Sequence, residues 1–282
     1  MSSTVHRASA PACSDGCPDV RADHEAAVRR AIAGMQAMLF EPLRLEHVAA
    51  AAIYSPFHFH RTFRQITSTT PARFLASLRM QRAKQLLADT DLTVTVISGL
   101  VGYESLGTFT TQFGRLVGTS PGRFRHLVDR CGTDLRLSDL DLGNFLPGRL
   151  PVLCSAPDGA RLECRTTIIG LFDGELPSGS PTSFTMVRDG YVAGIVAPGS
   201  RSVLALSVPD DILLSDLAVG SMTGALVGRA AVPGRGPAPV GRPAWSANGP
   251  TGGVLDLKLT LPRPVDPPVI SAAPVQYLAG RR

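Results

Sequence analysis

Side chains able to bond to nucleobase edges or phosphate oxygens gather in two short stretches. The first runs Ser55-Pro56-Phe57-His58-Phe59-His60-Arg61-Thr62-Phe63-Arg64, the second Val101-Gly102-Tyr103-Glu104-Ser105-Leu106-Gly107-Thr108-Phe109-Thr110-Thr111-Gln112-Phe113. Each holds a serine that can cap a helix, followed by polar residues in that helix's first turns. A helix presented N-terminus first has the shape that enters a DNA major groove. Arg61 can bond guanine bidentately, and the alternatives for it are a phosphate contact or a solvated charge. His60 lies within the same reach. Phe57, at the start of the helix, suits either a thymine-methyl contact or local packing. Leu106, Gly107, Thr108, Thr110 and Thr111 offer short, uncharged contacts in the second stretch, so it reads as the weaker partner.

Other chemistry in these stretches is excluded by spacing. His58 and His60 stand two apart and point to different faces of a helix, with no Cys or carboxylate near in sequence, so no metal site is expected. Phe59 and Phe63 are four apart, as are Phe109 and Phe113, which places both pairs on core faces.

The elements that position these residues follow from periodicity and capping. Val28, Ile32, Met35 and Leu39 give Glu25–Leu39 one apolar helical face. Leu45–Ala52 reads as a second, short helix. Ser55-Pro56, Thr70-Pro71 and Ser120-Pro121 each join a cap to a proline at the first helical position. Ala72–Ala88 carries a wide apolar stripe and spans roughly 25 Å, enough to hold two reading helices about one DNA turn, roughly 34 Å, apart. Thr93–Val101 and Ser105–Val117 form the second helix pair, and Ser120–Val128 closes the bundle.

Beyond residue 130 the pattern changes. The first 130 residues contain 8 Gly and 6 Pro; the remainder contain 20 and 17. Arg161–Phe172, Ser183–Arg188, Gly190–Val196, Ser202–Val208 and Val254–Leu261 read as strands. In the last, Leu255, Leu257, Leu259 and Leu261 alternate with polar residues, predicting a sheet covered on one side. Arg229–Pro250, with 5 Pro and 4 Gly, reads as a long loop.

Charge follows the same division. The chain carries a net +5, all of it in residues 1–130, and 42–127 hold 10 Lys and Arg against 4 Asp and Glu. That excess coincides with the two reading stretches, as counterion release from phosphate requires. Cys13, Cys17, Cys131, Cys154 and Cys164 form no zinc or disulfide spacing, which suits a reducing compartment. No apolar run is long enough to span a bilayer and no secretory signal is visible, so the expected location is the cytoplasm, without membrane contact.

Residues 42–127 resemble the DNA-binding domain of the AraC/XylS family of bacterial transcription regulators. The resemblance rests on Leu45–Ala52, Ser55–Arg64, Arg79-Met80-Gln81-Arg82-Ala83-Lys84-Gln85-Leu86-Leu87, Val101-Gly102-Tyr103 and Ser120-Pro121-Gly122-Arg123-Phe124-Arg125, in family order. It implies seven helices, with two helix-turn-helix units joined by a long helix. It also implies base reading by Phe57, His60 and Arg61 in the first unit and by Leu106, Gly107, Thr108, Thr110 and Thr111 in the second. Two positions depart from the pattern. Ile53 stands where the first turn usually carries glycine, and a β-branched residue disfavours positive φ, so that turn is expected to be shaped differently. Thr111 stands where an arginine is frequent, which weakens the second reader. Ile169–Asp173, Gly190-Tyr191, Val196–Ser200 and Asp266-Pro267-Pro268 are similar to a β-sandwich module of unknown role appended to some members of the family.

The expected architecture is multidomain α plus β. A disordered leader spans 1–22 and an N-terminal all-α double helix-turn-helix DNA-binding domain 23–128. A linker covers 129–148, and a C-terminal all-β, sandwich-like domain of sensing or interaction type fills 149–282. The expected function is sequence-specific transcription regulation by reading two adjacent major grooves of double-stranded DNA. The DNA-binding set is Ser55, Phe57, His58, His60, Arg61, Arg64, Ser105, Leu106, Gly107, Thr108, Thr110 and Thr111. The β domain senses a ligand or partner; RNA polymerase and a small-molecule effector are the candidates, and no cofactor is expected. One alternative is a constitutive DNA binder whose β domain serves dimerisation or polymerase contact. The other is a DNA-tethered enzyme, which the chemistry of the C-terminal half disfavours. That half has no His and a single Lys, Lys258, and neither Cys154 nor Cys164 has a neighbouring base. The two halves are expected to fold independently, because the linker offers few apolar residues to couple them.

Overall fold

Five helices start at a hydroxyl cap. Ser55, Thr70, Thr93, Ser105 and Ser120 each accept a hydrogen bond from the backbone N–H three residues on. Each thereby satisfies a donor that the helix itself leaves unpaired. The computed structural model describes residues 18–41, 55–140, 142, 150–157, 163–174, 178–189, 192–195, 202–232, 255–269 and 271–279. Within these, α1 spans Pro18–Ala37, α2 Pro56–Thr67, α3 Pro71–Asp89, α4 Val94–Leu100, α5 Leu106–Val117 and α6 Pro121–Cys131. The expected helix at 45–52, the turn at Ile53 and residues 1–17 of the expected leader lie outside the described residues. Residues 18–22 belong to α1 rather than to a leader, because the helix continues one turn and more ahead of its apolar face.

Two cores organise the helices. Val28, Ile32 and Met35 of α1 pack on Phe59 and Phe63 of α2 and on Phe74 and Leu78 of α3. Met80, Ala83 and Leu87, further along α3, join Ile97 and Val101 with Phe109 and Phe113 of α5 and Phe124 of α6. The four-apart phenylalanines are all fully buried, with Phe59–Phe63 and Phe109–Phe113 centroids 5.5 and 5.6 Å apart. Helix α3, 19 residues and roughly 28 Å long, passes through both cores.

The C-terminal part contains two sheets. Strands β1 (Leu150–Ser155), β4 (Val192–Ile195) and β7 (Leu255–Lys258) form one, in the order β4-β1-β7. Strands β2 (Arg165–Phe172), β3 (Ser183–Arg188), β5 (Ser202–Pro209) and β6 (Leu226–Ala231) form the other, antiparallel, in the order β3-β2-β5-β6. Alternation sorts the larger sheet's side chains between two cores. Ile169, Leu171, Val203 and Ala205 meet Val152, Cys154 and Leu257 of the smaller sheet. Ile168, Phe172, Leu204 and Leu206 face the other way, into the core that holds α3, α5 and α6. The larger sheet is thus covered on both faces.

Several expectations change. The region is not all-β: α7 (Leu214–Val219) and α8 (Ala273–Ala279) lie among the strands and join the core shared with the N-terminal helices. Leu257 and Leu259 are buried as expected, but Leu255 is half-buried and Leu261, one residue past the last pairing at Thr260, is 66% exposed. The described part of the expected linker is docked: Leu137 is buried, its N–H bonds to the Ile212 carbonyl at 3.0 Å, and Arg136 pairs with Leu213 as an isolated bridge. The start of the expected loop, up to Ala231, is strand β6; residues 233–250 lie outside the described residues.

The expected independence of the two halves is also corrected. Gln81 of α3 donates to the Val219 carbonyl at 2.8 Å, and the Ala272 N–H donates to the Val117 carbonyl at 2.9 Å. Gly220, at φ +80°, lets the chain pass so close that a Cβ there would lie 2.8 Å from the Gln81 amide. The coupling runs through packed surface and not through the linker's own residues.

Candidate nucleic-acid interface

Two helix N-termini carry the expected contact residues. At α2, Ser55 is exposed and its Oγ accepts from the His58 N–H at 3.4 Å. Burial of Phe59, Thr62 and Phe63 turns the opposite side of α2 outward, leaving Phe57 83% exposed, with Arg61 and Arg64 also exposed and His60 half-buried. At α5, the Ser105 Oγ accepts from the Thr108 N–H at 3.2 Å and donates to the Thr108 Oγ1 at 2.8 Å. Leu106, Gly107, Thr108, Thr110 and Thr111 are all exposed, while Phe109 and Phe113 point inward. Phe57 thus leaves most of its ring in water, while Leu106 is 41% exposed.

His58 is set apart from the rest of the expected set. Its half-buried ring meets His24 of α1 edge-on, with centroids 5.7 Å apart, and its Nε2 lies 3.5 Å from the Thr62 Oγ1. It faces the flank of α2 rather than its exposed tip.

Part of the basic excess in this segment serves the fold. The Arg79 guanidinium donates to the Leu39 carbonyl at 2.9 Å and the Glu41 carbonyl at 2.8 Å, and it lies 5.6 Å from the Tyr103 ring centroid. It therefore ties the end of α1 to the second unit, and burial lowers its pKa. Arg125 of α6 reaches the Leu87, Thr90 and Leu92 carbonyls at the end of α3. Lys84 is fully buried with its Nζ 5.9 Å from the Phe124 ring, and desolvation brings its pKa down to about 7. A charge count along the sequence cannot separate these cations from Arg61 and Arg64. The available signal was their place on the apolar stripe of α3 or beside an aromatic residue.

Among the described residues no base pairs with either C-terminal thiol. Cys154 is buried between the sheets, and burial, with Asp256 beside it, pushes its pKa up to about 11. Cys164 is exposed. Among the described residues no cluster of His, Cys, Asp and Glu could hold a metal ion, and no helix is long and apolar enough to cross a membrane.

Residues 48–126 match the family model described as a helix-turn-helix domain. The uncharacterized HTH-type transcriptional regulator YobQ of Bacillus subtilis is 31% identical over 97 residues, which are 34% of this chain and 40% of that protein. The MmsAB operon regulatory protein of Pseudomonas aeruginosa is 34% identical over 94 residues, 33% of this chain and 31% of that one. The bifunctional transcriptional activator/DNA repair enzyme Ada of Escherichia coli is 24% identical over 176 residues, 61% of this chain and 48% of the relative. The matched segments thus span less than half the length of these relatives. Among solved structures, the C-terminal domain of AraT, a response regulator from Geobacillus stearothermophilus, is 33% identical and covers 36% of this chain and 84% of that one. Its TM-score is 0.35, too low for the shape of this chain to be read from it. Residues 48–126 are therefore an AraC-type helix-turn-helix domain, a DNA-binding module of transcription regulators. The match starts at residue 48, so the domain does not occupy the N-terminus as expected; α1 precedes it and packs into its first core.

Proposed function

We propose that the chain is a sequence-specific transcription regulator acting in the cytoplasm. Helices α2 and α5 enter two adjacent major grooves of double-stranded DNA. Phe57, His60 and Arg61 read bases in the first, and Leu106, Gly107, Thr108, Thr110 and Thr111 make the weaker contacts in the second. Ser55, Arg64 and Ser105 contact the flanking backbone, and His58 supports α2 from its flank. The observation that carries this reading is the pair of hydroxyl-capped helices, α2 before and α5 after α3 in the chain, each with an exposed N-terminal turn. The domain boundaries we propose are 18–128 for the DNA-binding part, moved from 23 so that α1 is whole, and 149–282 for the remainder.

In this reading the C-terminal part senses a ligand or a protein partner and catalyses nothing. A high thiol pKa at Cys154 supports the last point, since the thiolate is the nucleophile. A second reading, constitutive DNA binding with the C-terminal part serving dimerisation or RNA polymerase contact, is favoured by one observation. The apolar cavity between the larger sheet and α7 and α8, lined by Ile168, Phe172, Leu204, Leu217 and Val275, has a volume of only about 30 Å³. Selection from random duplexes with the full chain tests the function. A recovered site with two half-sites about 10 base pairs apart is expected. Recovery of no preferred sequence contradicts the proposal.

A further inference from the structure

A cleft of about 450 Å³ opens between α1, the flank of α2 and the turn that follows β7. Arg21, His24 and Glu25 line it from α1, His58 and Arg61 from α2, and Arg263 from the C-terminal part. Arg263 lies far outside the helix-turn-helix match at 48–126. We propose that Arg263 is a DNA-binding residue that holds a backbone phosphate on the flank of the first reading helix. The inference rests on the DNA-binding reading above and assigns the C-terminal part a direct share in the same interface.

Three features support it. First, the position is anchored. Val265, two residues on, is fully buried in the α1–α2–α3 core, against Phe59, Phe63 and Phe74 as neighbours in that cluster. Second, the side chain is preorganised. The Asp266 carboxylate accepts from the Arg263 N–H at 2.8 Å and from its guanidinium at 3.1 Å, while the Asp266 N–H returns a bond to the Arg263 carbonyl at 2.9 Å. With about half of its side chain exposed, the guanidinium keeps donors free for a further acceptor. Third, the location suits a groove wall. A helix seated in a major groove about 12 Å wide has phosphates along both flanks. Arg61 belongs both to the outward face of α2 and to this cleft, so the cleft opens beside the reading face. Glu25, the one carboxylate lining it, is already held by Arg29 at 2.8 Å. Arg263 is likewise paired, with Asp266, so Arg21 and Arg61 are the cations in excess along the cleft.

The experiment measures affinity of the full chain for a selected duplex and for a random one, across a series of salt concentrations. Arg263→Gln should lower the slope of log K against log salt by about 0.9 and weaken binding at 0.1 M salt by about fivefold to tenfold, equally for both duplexes. Arg263→Lys, which keeps the charge, should retain most of the affinity, and Lys258→Gln, on the outer face of the smaller sheet, should change nothing. An unchanged slope in Arg263→Gln overturns the proposal, as does a loss confined to one base position. Equal losses in the Gln and Lys variants would make Arg263 a fold residue and overturn it too. Failure of the unsubstituted chain to bind any selected duplex removes the DNA-binding reading and this inference together.

Discussion

Arg61 and Lys84 stand 23 residues apart in the helix-turn-helix domain and illustrate two uses of a cation. Arg61 is exposed on the outward face of α2. Arg61→Ala should cost roughly 1–3 kcal/mol of discrimination at one base position, as the loss of a bidentate guanine contact would, while Thr111→Ala costs much less. Binding titrations against a panel of singly substituted duplexes check this, and equal weakening on all of them would reassign Arg61 to phosphate. Lys84 is fully buried, and desolvation takes its pKa from 10.5 to about 7. Between those two values the unfolded chain binds more protons than the folded one, so stability rises with pH through that window and is lowest below it. The slope is up to about 1.4 kcal/mol per pH unit. The melting temperature of Lys84→Met relative to that of the unsubstituted chain should therefore be higher at pH 6 than at pH 9. An equal effect at both pH values would show that Lys84 stays charged in the fold.

At the scale of elements, the turn between α4 and α5 depends on a glycine. Gly102 has φ +78°, and a Cβ there would lie 2.5 Å from the Leu39 carbonyl oxygen and 2.7 Å from an Arg79 nitrogen. Backbone cannot move aside as a side-chain tip can, so Gly102→Ala combines conformational strain with a clash. It should destabilise the chain by about 2–4 kcal/mol. Gly114→Ala, inside α5 with open space around it, should instead stabilise by up to about 1 kcal/mol. Chemical denaturation of the two variants checks the opposite signs; a neutral Gly102→Ala would mean the α1–α4 approach is looser than the structure has it.

For the whole molecule, the decisive feature is that the larger sheet separates two cores, one shared with the smaller sheet and one shared with α3, α5 and α6. Leu257 is buried in the first of these. Leu257→Asp places a carboxylate there at a cost of at least about 3 kcal/mol. Because the sheet is also the floor of the helical core, helix and sheet signals should melt together, at a lowered temperature. Circular dichroism at a helix-sensitive and a strand-sensitive wavelength follows both. A helical transition left at its original temperature would show that the two parts are independent after all, as the linker's composition had suggested.

Local physics explains what could be read from the chain alone. A hydroxyl three residues before a backbone N–H, a proline in the first turn, and apolar residues three and four apart act within one or two helical turns. Hence α2, α3, α5 and α6 begin at the expected caps, and Phe59, Phe63, Phe109 and Phe113 are core. Strand β3 falls at the expected Ser183–Arg188 for a similar reason, since a short apolar and β-branched run bounded by Gly and Pro is also a local signal. The exposed contact residues on α2 and α5 were legible because burying one helical face leaves the opposite face outward. Only the tertiary structure decided the rest. No local period announces α7 and α8, short helices held by the core that they complete. Arg79, Lys84 and Arg125 stand on an apolar stripe or beside an aromatic residue, but the carbonyls and rings that they meet come from other elements and were not legible. The pairs Gln81–Val219 and Val117–Ala272, and the insertion of Val265 beneath α2, join residues 138, 155 and roughly 200 positions apart. Such contacts depend on the shapes of two finished surfaces, and those shapes exist only once the chain has folded.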